Sequence, residues 1–222
     1  MDGHVEHARI VLRPIGSGLP LGFFSFGIGM LLLGCSASGW IPLLEQKHVG
    51  MTLMSFVFPL ELLATIFGFL GRDTLGATTL GLFTTSWLFI GWSDYASPPG
   101  QKAVSLGVYL FGFGAVALLL AVLSLGGKPF FSLLLGLAVA RMVLNGYYEV
   151  GGTHEWLKVS GGFGIALAVL AFYGGVALGL EDAQRREVLP LFRRGQAREA
   201  LQGDYRAQLE QLESEPGVRQ QL

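Results

Sequence analysis

Charge is what this chain has least of. Asp, Glu, Lys and Arg make up 14% of its 222 residues, while 51% are hydrophobic and the mean hydropathy is +0.53. Soluble domains carry about 25% charged residues, so the composition excludes an ordinary soluble fold and indicates a polytopic membrane protein. A net charge of −1 offers no basic field to a nucleic acid. Cysteine is nearly missing too. Cys35 stands alone inside an apolar run, so no intrachain disulfide can form and the redox compartment is left open. His4, His7, His48 and His154 have no Cys or carboxylate cluster at ligand spacing, so neither a metal site nor a cofactor is expected. No nucleophile–base pair, phosphate-binding glycine loop or metalloprotease motif is visible, and the chain is read as a non-enzyme.

What the sequence does have is long apolar runs. A helix of about 20 residues crosses a hydrocarbon core, and six runs approach that length. Gly16-Ser17-Gly18-Leu19-Pro20 breaks the chain before span 1, Leu21 to Trp40, and Pro20 suits the first turn of that helix. Span 2, Gly50 to Leu70, contains Pro59 and Glu61, and span 3 runs from Thr74 to Trp92. A loop of Asp94, Pro98, Pro99 and Gly100 leads to span 4, Ala103 to Leu125. Gly126-Gly127-Lys128-Pro129 is a tight connection to span 5, Phe130 to Tyr148, which holds Arg141 and Asn145; span 6 is Val159 to Leu180. The expected organisation is a segment 1–16, an all-α domain 17–182 of six transmembrane helices, and a tail 183–222. In the tail Leu201, Tyr205, Leu209 and Leu212 recur at helical spacing, which reads as an amphipathic helix. No small-residue cleavage site follows a short hydrophobic core, so span 1 is expected to be retained.

Loop cations set the orientation, because Lys and Arg collect on the cytoplasmic side. Arg9, Arg13, Arg72, Lys128, Arg185, Arg186, Arg193 and Arg194 lie on the side of the N-terminus, against Lys47, Lys102 and Lys158 opposite. Both termini should therefore face the cytoplasm, in a cell inner (plasma) membrane. An even number of spans agrees.

Two features inside the spans bear on chemistry. Span 3 carries the hydroxyls of Thr78, Thr79, Thr84, Thr85 and Ser86 with no charge between Asp73 and Asp94. Such a helix can be wetted on one face, as a path for a small polar solute requires. Glu61 and Arg141 fall within spans 2 and 5. A charge at the centre of a span costs roughly 2.5–3.5 kcal/mol on insertion scales, so it pairs or faces water. At about 1.5 Å per residue their depths differ by roughly 6 Å, and an interhelical Glu61–Arg141 pair is expected. Gly is abundant, at 33 residues, and Ser25/Gly29, Gly175/Gly179 and Gly161, Gly162 and Gly164 are placed for close helix packing.

Span 3 also carries a family resemblance. Arg72 to Trp87 resembles the third helix of the bacterial succinate–acetate permeases, the acetate uptake transporter family, whose pattern is approximately Gly-Asn-Thr-Phe-Gly-x-Thr-Ala-Phe-x-Ser-Tyr-Gly-x-Phe-Trp. Thr74, Gly76, Thr78 and Trp87 keep that spacing, while Asp73 replaces the Asn and Phe83 the Tyr. Weaker matches follow in order: Ser17 to Phe23 with Phe26 against Asn-Pro-Ala-Pro-Leu-Gly-Leu and its Phe, then Leu106 to Leu110, Phe130 to Leu133, Ala171 to Tyr173 and Val188 to Pro190. The resemblance reaches from about Ser17 to Pro190.

The resemblance implies six helices around a narrow path in each subunit of a homo-hexamer in the bilayer. It implies transport of acetate and related short monocarboxylates, proton-coupled or channel-like. The path it implies runs past Pro20, Leu21, Gly22 and Phe26 to a constriction at Phe83, Ser105 and Leu133, with Thr78, Thr84 and Arg141 available to a carboxylate. Phe83 lacks the family hydroxyl, Ser105 is much smaller than its counterpart, Glu61 takes the place of a Gln, and Gly68 that of a Glu. Two alternatives therefore stand beside acetate: a channel for a neutral solute such as urea, a short amide or ammonia, and a membrane sensor or scaffold acting through the tail.

Overall fold

The structure, a computed structural model, describes residues 16–184, 186–195 and 198. The expected tail helix at Leu201 to Leu212 lies outside them, as do His4 and His7. Among the described residues there is no strand. Helix α1 spans Leu19–Ala37, with Pro20 in its first turn. A 3-10 turn at Leu43–Glu45 enters α2, Gln46–Thr52, and a π turn at Leu53–Val57 joins it to α3, Phe58–Leu70. Then come α4, Thr74–Ala96; α5, Val104–Ser124; α6, Pro129–Glu149; and α7, His154–Gln184.

The π turn has a local cause. Pro59 has no N–H to give the carbonyl one turn before it, and the Phe58 N–H reaches back five residues to Leu53 O. The wider turn is continuous with the helices on either side, so Leu43–Leu70 forms one 28-residue helical unit. This unit starts seven residues before the expected Gly50, and α4 runs on to Ala96, so Asp94 is helical rather than in a loop.

Among the described residues five helical units are long and apolar enough to cross a membrane: Leu19–Ala37, Leu43–Leu70, Val104–Ser124, Pro129–Glu149 and His154–Gln184. Helix α4 is long enough, at 23 residues, but is not among them. Its hydroxyls lower its hydropathy, and it turns several of them inward: Thr79, Thr84 and Ser86 are buried.

The helices close into a ring. α1 packs on α7 and α3, α3 on α4, α7 on α6, and α6 on α5. Two glycine contacts explain how the backbones come so close. A Cβ on Gly34 of α1 would sit 2.8 Å from Ile165 N of α7, and one on Gly50 of α2 would sit 2.4 Å from Gly91 O of α4. α4 and α5 stand further apart and meet through side chains, with the Phe83 and Phe113 ring centroids 4.9 Å apart and Phe89 and Tyr109 4.7 Å apart.

Each end of the ring is tied by polar contacts. At one end Asp73 caps α4 through Gly76 N and takes Lys128 Nζ at 2.6 and 2.7 Å. There too Arg193 grips both oxygens of Glu181 at 2.7 Å, and Arg194 N donates to Gly127 O. At the other end Gln46 Nε2 donates to Asp94 Oδ1 at 2.9 Å, and Ala103 N donates to Glu149 Oε2 at 2.8 Å.

Candidate functional site

Inside the ring two small cavities lie end to end. The first, on the Lys128 side, has a volume of about 30 Å³ and is walled by Gly22, Phe26, Glu61, Thr79, Phe83 and Leu134, among others. The second, on the Asp94 side, is about 10 Å³ and is walled by Met30, Phe83, Ser86, Trp87, Phe113 and Arg141, among others. Phe83 lines both. It is the partition, 3% exposed, held edge-on to Phe26 at 5.2 Å and against Phe113 at 4.9 Å between ring centroids. The helical register places it there: Thr79, Phe83 and Ser86 follow at four- and three-residue steps along one face of α4.

The polar groups of the site divide between the two cavities. Glu61 faces the first and is fully buried. Trp87 Nε1 donates to its Oε2, while Oε1 has no hydrogen-bond partner. Trp87 is fixed in turn by its ring against Phe26 and by Gly29, whose missing Cβ leaves room for the indole. Arg141 faces the second cavity at 3% exposure, and its Nε is unpartnered. One turn along α6, Asn145 Oδ1 is also buried without a partner. Asp94 and Arg141 attract one another through space, and Glu149 repels Asp94. Ser86 and Tyr109 share a short hydrogen bond that joins α4 to α5.

Several expectations are revised by this geometry. Glu61 and Arg141 do not form an ion pair: the indole of Trp87 takes the Glu61 carboxyl, and the two charged groups open to different cavities. Ser105 and Leu133 are exposed on the outside of the ring and line neither cavity. Their places are taken by Phe113 of α5 and by Leu134, Leu135 and Ala138 of α6. Thr84 is fully buried, but its Oγ1 lies 3.3 Å from that of Thr65, so it joins α3 to α4 outside the cavities. Thr78 is half-buried and off both walls, as are Pro20 and Leu21 at the start of α1. Gly22, Phe26 and Phe83 line the first cavity. Thr79 and Ser86 are the hydroxyl-bearing residues on the cavity walls, and the Thr79 hydroxyl donates back to Leu75 O.

Of the glycines singled out for close packing, Gly161 and Gly164 do face Gly34 across α1 and α7, and Gly175 faces Phe24. Gly162 and Gly179 have open space where a side chain would stand.

Comparison with known proteins gives a consistent picture. A family model described as the GPR1/FUN34/yaaH family matches residues 3–189. Among solved structures the chain is similar to the bacterial acetate channel SatP, with a TM-score of 0.71 at 20% identity, over 80% of this chain and 99% of that one. No curated protein matches by sequence.

Proposed function

The chain belongs to the GPR1/FUN34/yaaH family, and from that premise we propose that it carries acetate or a related short monocarboxylate across a cell membrane. The observation that carries the reading is the partition at Phe83, with a cation on one side of it and hydroxyls within reach. A carboxylate leaving water needs charged or hydrogen-bonding partners, since burying it bare is prohibitive. On the Asp94 side the route offers Arg141 and Ser86. Beyond Phe83 it offers Thr79 and an apolar wall of Phe26, Leu134 and Leu135 against which a methyl group packs. Phe26, Phe83 and Phe113 then act as a dewetting gate, passing a small solute when the rings turn. SatP, of like fold, is an acetate channel.

We place the Lys128 end in the cytoplasm, with both termini, and read α4 as a sixth crossing whose wetted face is covered by its neighbours. The assembly we propose is a homo-hexamer with one path per subunit, in the inner membrane. Labelled acetate uptake into proteoliposomes tests the route. Phe83→Ala is expected to raise the rate severalfold and Phe83→Trp to stop it. Equal rates in both variants and the parent chain would remove Phe83 from the path.

One observation favours the rival solute. Glu61, in the first cavity with a free oxygen, suits a neutral hydrogen-bonding molecule such as urea or a short amide better than an anion. Osmotic swelling of the same vesicles in urea against acetate separates the two readings.

A further inference from the structure

Beyond α7, residues 186–195 fold back against the ring as a strap that is tied along its length. Leu191 N donates to Glu187 Oε1, the Tyr173 hydroxyl of α7 donates to Pro190 O at 3.0 Å, and the Leu191 side chain is buried in the apolar core. Two residues later Arg193 holds both oxygens of Glu181, and Arg194 N donates to Gly127 O. Between these two sets of ties stands Phe192, with φ of 55° and 62% exposure. A left-handed backbone is an outlier for a bulky residue and persists only where the surroundings over-determine it. Buried Leu191 on one side and bound Arg193 on the other do so here, and the result is an apolar ring held off the protein.

The depth of that ring follows from what the strap is tied to. Gly127 lies in the turn between the last residue of α5, Ser124, and the first of α6, Pro129; Glu181 lies in the last turn of α7. The Asp73–Lys128 pair marks the same end of the ring. Phe192 therefore stands where the apolar spans stop, at the level where hydrocarbon gives way to headgroups. Charge on the strap suits an anion at that level. Arg194 is exposed, and so is Arg186, which donates to the neutral side chain of Gln184. Of the nearby carboxylates, Glu181 is matched by Arg193, Glu187 is turned to Leu191 N, and Asp182 is exposed.

We propose that the strap is a binding site for an anionic phospholipid: the Phe192 ring enters the acyl boundary, and Arg194 and Arg186 hold the phosphate. A guanidinium fork matches phosphate oxygens in pairs, and an aromatic ring beside it gains by leaving water. The inference concerns the lipid around the chain and is independent of the solute that the chain carries.

The test titrates the full chain, purified in mild detergent, with dioleoyl phosphatidylglycerol and separately with dioleoyl phosphatidylcholine. Native mass spectrometry reads the lipid retained per subunit and the mass of the assembly. At about fivefold per arginine, the parent chain is expected to prefer phosphatidylglycerol roughly 25-fold, and Arg186→Gln with Arg194→Gln to abolish the preference. Phe192→Gly suits the left-handed backbone. It should unfold in lipid-free detergent no earlier than the parent, yet bind both lipids about tenfold more weakly because the ring is gone. Glycerol 1-phosphate, a phosphate without acyl chains, should not displace the lipid. Equal retention of the two lipids by the parent would overturn the proposal, and that arm needs no variant to fold. So would a preference that survives the arginine variants, or displacement by glycerol 1-phosphate, which would make the strap a site for free phosphate. Phe192→Gly that splits the assembly and leaves lipid binding intact would overturn it too, and would make the strap a subunit contact.

Discussion

Arg141 and Trp87 show how much hangs on single side chains in a water-poor interior. With its Nε unpartnered and Asp94 near enough to attract it, Arg141 is, on the proposed route, the group that an entering anion meets first. Replacing it by Gln should weaken acetate binding by about 2–5 kcal/mol, the cost of truncating a buried charge partner, with the maximal rate less affected. Concentration-dependent uptake separates the two effects, and Arg141→Lys should recover part of the loss. Trp87→Phe keeps the ring against Phe26 but leaves both Glu61 oxygens bare. A loss of about 1–3 kcal/mol is expected from the orphaned group, seen as a lower unfolding temperature in detergent. Legibility at this scale was a matter of helical phase. Phe83 and Phe26 could be read because family spacing and register agree. Leu133 could not: it lies eight residues before Arg141, about 80° around the helix, whereas Leu134 lies seven before and about 20° away. Counting from Arg141, the one charge in the interior of α6, would have named Leu134. Neither residue type nor spacing in the sequence announces that Trp87 claims Glu61, because that contact joins residues 26 positions apart through a third helix's glycine, Gly29.

The elements themselves were the most readable level, since hydropathy marks them directly. Ends of spans 4 and 5 agree with α5 and α6 to within a residue. The departures have physical causes. α4 runs past Trp92 because Asp94 finds Gln46 and needs no solvent to satisfy it. The π turn was hidden because Pro59 announces only that a hydrogen bond is missing, and not how the helix makes up the difference. Close packing gives a prediction at this scale. Gly34→Val drives a side chain into the α7 backbone and should cost about 1–3 kcal/mol or more by overpacking. Gly112→Val, where a Cβ meets nothing within 4 Å, should leave the unfolding temperature of the isolated subunit unchanged. A Gly112 effect confined to the assembled form would mark that face of α5 as a subunit contact.

At the scale of the whole molecule, the chain's own composition specified a bundle in a bilayer, and the order of helices around the ring emerged only with the structure. Sequence patterns say which face of a helix is buried and not against which neighbour. Cysteine labelling tests the proposed orientation. Lys158→Cys in a Cys35→Ser background should react with an impermeant maleimide added outside cells, and Arg186→Cys only after the cells are opened. Reversed labelling would invert the path. The ring is also uneven, and that has a mechanical consequence. Every neighbouring pair along it is locked by backbone proximity except α4 and α5, which are spanned by the rings of Phe83, Phe89, Tyr109 and Phe113 and by the Ser86–Tyr109 hydrogen bond. Compliance is therefore concentrated in one seam. Such a wall yields by rotating aromatic side chains, a motion of nanoseconds to microseconds, and not by sliding helices over milliseconds. Tyr109→Leu, which cuts the tie to Ser86, should soften that seam and speed passage while the five stiff contacts hold the ring in shape.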